Sequence, residues 1–234
     1  MRSKKELTKE QKRLDVDLWI IALATGAAYL VYALIGSRLM AFCKDSSVSV
    51  WPRLFAASSM EFGIAGLGIT IVCILRKTPF TRFGLRKENA LKAICGAVLC
   101  FLPYIVFVFA SGQFEGYEPL SIMVTPDLHK AGIFATIAGT LVIAVIWGFF
   151  EGFNYSVISK IIDMRYPVNS RFFSWGALVC ALMGILFHPM SFDLLGIIEL
   201  LTTFTALYGM LIVSKHTENS WGCVFAFLFI WNAL

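Results

Sequence analysis

Charge is scarce in this chain of 234 residues. Asp, Glu, Lys and Arg make up 15% of it, and histidine occurs three times. There is no C-x-x-C, and the six cysteines have no zinc-finger spacing, which argues against a cysteine metal site or a disulfide framework. Five of them, Cys73, Cys95, Cys100, Cys180 and Cys223, lie in apolar runs, where cysteine behaves as a small hydrophobe. H-E-x-x-H, the P-loop, G-x-S-x-G and the dinucleotide fingerprint are all missing, so no soluble-enzyme motif is present. Neither a repeat of fixed period nor a low-complexity stretch occurs.

What the chain has instead is apolar length. Hydrophobic residues make up 58% of it, against about 45–50% in ordinary soluble domains. Runs of about 20 apolar residues cross a bilayer as helices, and six or seven such runs are present. The sequence therefore predicts one all-α domain, a polytopic transmembrane bundle of about seven helices over residues 18–234. Met1–Asp17 is too charged for a signal peptide and reads as a short, basic, mobile cytoplasmic tail.

The net charge of +5 follows membrane topology and is not a nucleic-acid signal. With the N-terminus inside, sixteen of the 20 Lys and Arg fall on inner segments. Only Arg38, Lys44, Arg53 and Lys130 fall outside. That is the positive-inside pattern of a multi-pass protein of the cell membrane, with the lipid bilayer as its first partner.

The expected spans are Leu18–Ile35, Leu54–Leu75, Ala90–Ala110, Ala131–Ile162, Phe172–His188, Leu194–Ser214 and a short one from Trp221 to Leu234. Asn89 is expected to cap the third and Pro103 to kink it. Residues 111–130, with two glycines and two prolines, read as an irregular outer loop. At 1.5 Å per residue the fourth span reaches roughly 48 Å, so it must tilt or protrude. Pro189 is expected to end the fifth.

Polar residues inside these spans carry the functional signal. Glu151, Asn154 and Tyr155 stand at i, i+3 and i+4 and share one helix face. Beside them, Gly148 and Gly152 form a G-x-x-x-G pair that admits a close neighbour. A carboxylate at this depth costs several kcal/mol unless it is paired, protonated or cation-bound. Glu151 is therefore either a working group or hydrogen-bonded glue between helices. His188 comes directly after the apolar run Leu182–Phe187 and reads either as a site residue or as a helix C-terminal histidine favoured by the dipole. Counted from the inner ends of their spans, Glu151 and His188 lie roughly 17 and 24 Å deep. These antiparallel neighbours meet if tilted, and together would hold a divalent metal or activate a water. Glu61 and Glu199 lack a comparable stripe and read as glue or cavity lining. His129 and His216 read as solvated loop residues.

Several short motifs, in order, carry a resemblance. Phe83-Gly84-Leu85-Arg86-Lys87 precedes the third span. Glu151 falls on the fourth, and Gly184-Ile185-Leu186-Phe187-His188 closes the fifth. Tyr208-Gly209-Met210-Leu211 through Asn219-Ser220-Trp221 leads into the last. Residues 83–234 thereby resemble the CPBP intramembrane proteases, which include the CAAX prenyl endopeptidases and bacteriocin-processing or self-immunity (Abi) proteins. These segments are similar to the family's F/L-G-L-R entry, its E-E-x-x-x-R helix, its F-x-x-x-H motif and its approach to the last motif helix. The chain departs from the pattern at Gly152 for the second Glu, Ser156 for the Arg, Gly184 for the Phe and Phe227 for the last His. Trp231 stands at the Asn position, with Asn232 one residue out of register.

The resemblance implies a glutamate-activated water, with His and Asn groups holding the site or stabilising the oxyanion. It places Glu151 and His188 as catalytic residues and as ligands of a divalent metal such as zinc, supported by Asn154, Tyr155 and Asn232. Loss of the basic and imidazole groups removes transition-state stabilisation, a change worth orders of magnitude in rate. Three functions stay open. One is a divergent protease cleaving a membrane-associated or lipidated peptide or protein. Another is a non-catalytic relative that binds such a partner. A small transporter is the third, although paired broken helices and inverted halves are missing.

Overall fold

A computed structural model describes residues 7–186 and 191–234, and His188 and Pro189 lie outside the described residues. Eight helices, and no strand, occur among the described residues. They are α1 (Lys9–Lys44), α2 (Val50–Arg76), α3 (Ala90–Ala110), α4 (Thr125–Lys130), α5 (Ile133–Arg165), α6 (Trp175–Leu186), α7 (Leu194–Thr217) and α8 (Trp221–Trp231). Five of them, α1, α2, α3, α5 and α7, are long and apolar enough to cross a membrane. Large apolar side chains such as Leu34, Leu91 and Phe134 cover their outer faces. The chain is therefore a multi-pass, membrane-embedded helical protein. The shorter apolar helices α6 and α8 span residues 175–186 and 221–231.

The first helix begins nine residues before the expected boundary, and the cause is local. The Thr8 hydroxyl accepts from the Gln11 amide at 3.2 Å, and the Gln11 side chain accepts from the Thr8 amide at 3.0 Å. Two orphan donors are satisfied reciprocally in this capping box. Asp15 then accepts from Arg165 at 2.6 Å, and Asp17 pairs with Arg76 at 2.6 Å. Leu14 and Asp17 are buried. The stretch read as a mobile tail is thus helical from Lys9 and docked onto α2 and α5.

Other boundaries shift for equally local reasons. Asn89 sits before α3 in the left-handed region (φ 58°) and makes no side-chain cap. Its amide instead donates to the Thr217 carbonyl at 3.3 Å. The outer loop is not wholly irregular, since α4 forms within it. Asp127 on α4 accepts from Arg53 at 2.8 Å and from Lys130 at 2.9 Å. Arg53 is itself buried and also donates to the Cys43 carbonyl at 3.1 Å, fastening the C-terminal end of α1 and the N-terminal end of α2 to α4. His129 lies in α4 and His216 in the last turn of α7, so neither is a loop residue.

Helix α3 lies along α7 and α8, while α1 lies along α2 and α5, and α6 bridges α5 and α7. Three π-helical turns interrupt the bundle: Phe62–Gly66 in α2, Ala144–Phe150 in α5 and Phe227–Trp231 in α8. The turn in α5 touches both of the others.

Candidate functional site

Glu151 is the first residue after the π turn of α5, and Asn154 and Tyr155 share its face one turn on. All three line one cavity of about 190 Å³. Thr25 and Tyr29 of α1 and Glu61 of α2 complete its polar wall. From the last helix, the Asn232 amide donates to Glu151 Oε2 at 3.1 Å and to the Trp147 carbonyl at 3.3 Å. Four of the five residues singled out in the sequence are therefore brought together, Glu151, Asn154 and Tyr155 on one cavity and Asn232, 81 residues on and just past α8, bonded to Glu151. The fifth, His188, lies outside the described residues.

The G-x-x-x-G pair explains how α8 comes so close. A β-carbon on Gly148 would strike the Leu228 side chain, and one on Gly152 would lie 2.6 Å from the Cys223 carbonyl oxygen. This approach carries Asn232 to Glu151. Tyr155 is held on both sides. Its ring stacks on Phe227 at 5.2 Å and 22°, and its carbonyl accepts from the Cys180 thiol at 3.5 Å. A β-carbon on Gly184 would lie 3.3 Å from the Tyr155 hydroxyl, so the phenol reaches α6 four residues before His188.

Glu61 is the residue that sequence reasoning undervalued. It lies in the turn just before the π segment of α2 and faces the same cavity as Glu151. Its own helix offers no comparable polar stripe, and the packing of α2 against α5 brings it beside Glu151. Thr25 and Tyr29, four apart in an apolar run, were a legible stripe on α1. Glu199 does not line the cavity.

A second and larger cavity, about 930 Å³, runs between α1, α5 and α6. Its walls are almost wholly apolar, with Leu18, Ile21, Val179 and Trp175 among them. It shares Thr25, Tyr29, Asn154, Ile158 and Met183 with the acidic cavity. An apolar groove thus adjoins two carboxylates, two phenols and an amide.

The described polar groups around Glu151 are carboxyl, hydroxyl and amide groups; a carboxylate oxygen is one donor that zinc accepts, and the other expected ligand, His188, lies outside the described residues. Among the described residues, no cluster of three His, Cys, Asp or Glu side chains is placed to hold a metal. Comparison with family models, curated proteins and solved structures finds no match to this chain. The family resemblance rests on the motifs and their order.

Proposed function

We propose that the chain is a divergent intramembrane peptidase of the CPBP type, which hydrolyses a peptide bond in a membrane-associated or lipidated substrate. In this reading it sits in the cell membrane with its N-terminus cytoplasmic, and α6 and α8 bring the crossings to about seven. One observation carries the proposal: Glu151, fixed by Asn232, lines a cavity that opens through shared residues onto an apolar groove of about 930 Å³, a volume that would take an acyl or prenyl chain.

Glu151 acts as general base. Asn232 holds one carboxylate oxygen and leaves the other to take a proton from water. The hydroxide adds to the scissile carbonyl, and the Asn154 amide and Tyr155 hydroxyl are the donors within reach of the developing oxyanion. As the C–N bond breaks, Glu151 returns its proton to the leaving nitrogen. General acid–base catalysis of this kind contributes about 10²–10⁴-fold. The Glu151→Gln protein, purified in detergent, should melt as the parent does yet lose at least about a hundredfold in cleavage of a lipidated peptide, monitored by mass spectrometry. Undiminished cleavage would overturn the assignment.

A second reading is favoured by Phe227. It occupies the position of the family's last histidine and is buried against the Tyr155 ring, where an imidazole would otherwise enter the site. In that reading the same groove captures a lipidated peptide without cutting it. Capture by photo-crosslinking should then persist in Glu151→Gln, with no cleavage by the parent protein.

A further inference from the structure

Separate from the acidic cavity, a polar pocket of about 360 Å³ lies between the loop before α3 and the ends of α5 and α7. Lys160 in its wall is nine residues past Glu151, or about 13 Å along α5. The pocket holds four cations, Arg82, Arg86, Lys160 and Lys215, and two acids, Asp163 and Glu218. Both acids are engaged. Glu218 accepts from Arg86 at 2.6 Å. Asp163 accepts from the Ser174 hydroxyl at 2.7 Å and the Gly176 amide at 3.0 Å, with Lys215 at 3.7 Å. Among the described residues, the side chains of Arg82 and Lys160 make no hydrogen bond or ion pair.

The neighbouring space gives Lys160 no counter-charge either. A cavity of about 80 Å³ adjoins the pocket and shares Arg82, Lys160 and Met164 with it. There Asp17 is already paired with Arg76, and Arg13 keeps a buried Nε without a hydrogen-bond partner. A solvated positive-inside face accounts for exposed cations such as Lys77 and Lys87. It does not account for Lys160, which is half-buried on an apolar helix and enclosed from two sides. A charge withdrawn from water needs a partner; Glu218 attracts Lys160 across the pocket, but that carboxylate is already held by Arg86.

We propose that this pocket binds a phosphate group, with Arg82 and Lys160 as its principal ligands. Two uncompensated positive charges match the charge of a phosphate ester. The Arg82 fork suits two phosphate oxygens, and Lys160 acts as a point charge beneath. Ser159 lines the wall as a neutral donor. The floor is rigid, because Ser156 is bonded to Ser214 at 3.1 Å and to Ser220 at 2.7 Å, and Ser220 donates to the Phe83 carbonyl. The volume accommodates a phosphate with a small organic body, as a phospholipid head group or a soluble phosphate ester would present.

The test reads binding and is independent of peptidase activity. The full chain in detergent is titrated with inorganic phosphate, and separately with dihexanoyl phosphatidic acid, at constant ionic strength, with the melting temperature as readout. A saturable rise is expected with at least one probe. Arg82→Gln and Lys160→Gln should each weaken it about tenfold. A rise with both probes, or with the lipid alone, assigns the pocket to a lipid head group; a rise with inorganic phosphate alone assigns it to a soluble ester. No rise with either probe, or an equal rise in both variants, would overturn the proposal. Arg82 is exposed, so its substitution tests the pocket even if Lys160→Gln fails to fold.

Discussion

The two long walls of the bundle are built on opposite plans. Where α3 meets α7 and α8, backbones touch. A β-carbon on Gly222 would strike the Ala93 carbonyl, one on Gly96 would lie 2.7 Å from Val213, and one on Gly209 would lie 2.7 Å from the Cys100 sulfur. Between α1, α5 and α6 the helices enclose the 930 Å³ groove, and a β-carbon on Gly26 would find nothing within 4 Å. Without a hydrophobic force between helices in lipid, close packing of small residues supplies association. One wall therefore holds the fold, and the other leaves space beside the carboxylates. A glycine means opposite things on the two walls, and only the neighbour across the gap distinguishes them.

Substitutions can break or sharpen this contrast. The largest effect belongs to the site on the open wall, where Glu151→Gln should remove about 10²–10⁴-fold of cleavage and leave melting intact. Next comes the closed wall. Gly222→Ala should destabilise by about 1–3 kcal/mol, since its β-carbon meets backbone that cannot turn aside. Thermal unfolding in detergent measures this, and an unchanged midpoint would dissolve the distinction between the walls. Gly26→Leu is the matched experiment across the bundle. It should leave the midpoint undiminished but raise KM for a lipidated peptide several-fold by filling the groove.

The smallest effect lies at the rim formed by Arg53 and α4. Hydrogen bonds from Lys130 and Arg53 lower the Asp127 carboxyl from 3.8 to about 2. A carboxyl held below its unfolded value stabilises the fold above that value. The contribution is lost as pH falls from about 4 through about 2. Asp127→Asn should therefore lower the midpoint at pH 7, and the deficit should shrink towards pH 2. A deficit that is constant with pH would show that the charge contributes nothing.

What the sequence made legible was local. Ala90–Ala110 is read from its apolar run and found with the same ends. The stripe Glu151, Asn154, Tyr155 obeys helix spacing and faces one cavity, and the close approach expected at Gly148 and Gly152 is filled by α8. What escaped was set by partners far along the chain or by broken periodicity. Arg76 and Arg165 draw the charged start of α1 into the bundle, which hydropathy cannot anticipate. Glu61 lines the cavity, one of the two readings open to it, but no stripe on its own helix pointed to Glu151 as its neighbour. Among the described residues five spans are long enough to cross, and the runs after Phe172 and Trp221 form described helices of 12 and 11 residues, the first reaching the edge of the described stretch.

Those widened turns have a consequence for how the site is stored. Glu61 directly precedes one, while Glu151 and Asn232 come immediately after the other two. Each inserts an extra residue into its helical circuit, so the angular phase of the helix is reset beside Glu61, Glu151 and Asn232. Dropping a single residue between Ala144 and Phe150 would let that circuit relax to ordinary pitch and swing the rest of the helix by about 100°. The acid would then face another quadrant with every side chain unaltered. The constellation is thus written partly in hydrogen-bond slack, and it can be erased without changing one of its letters.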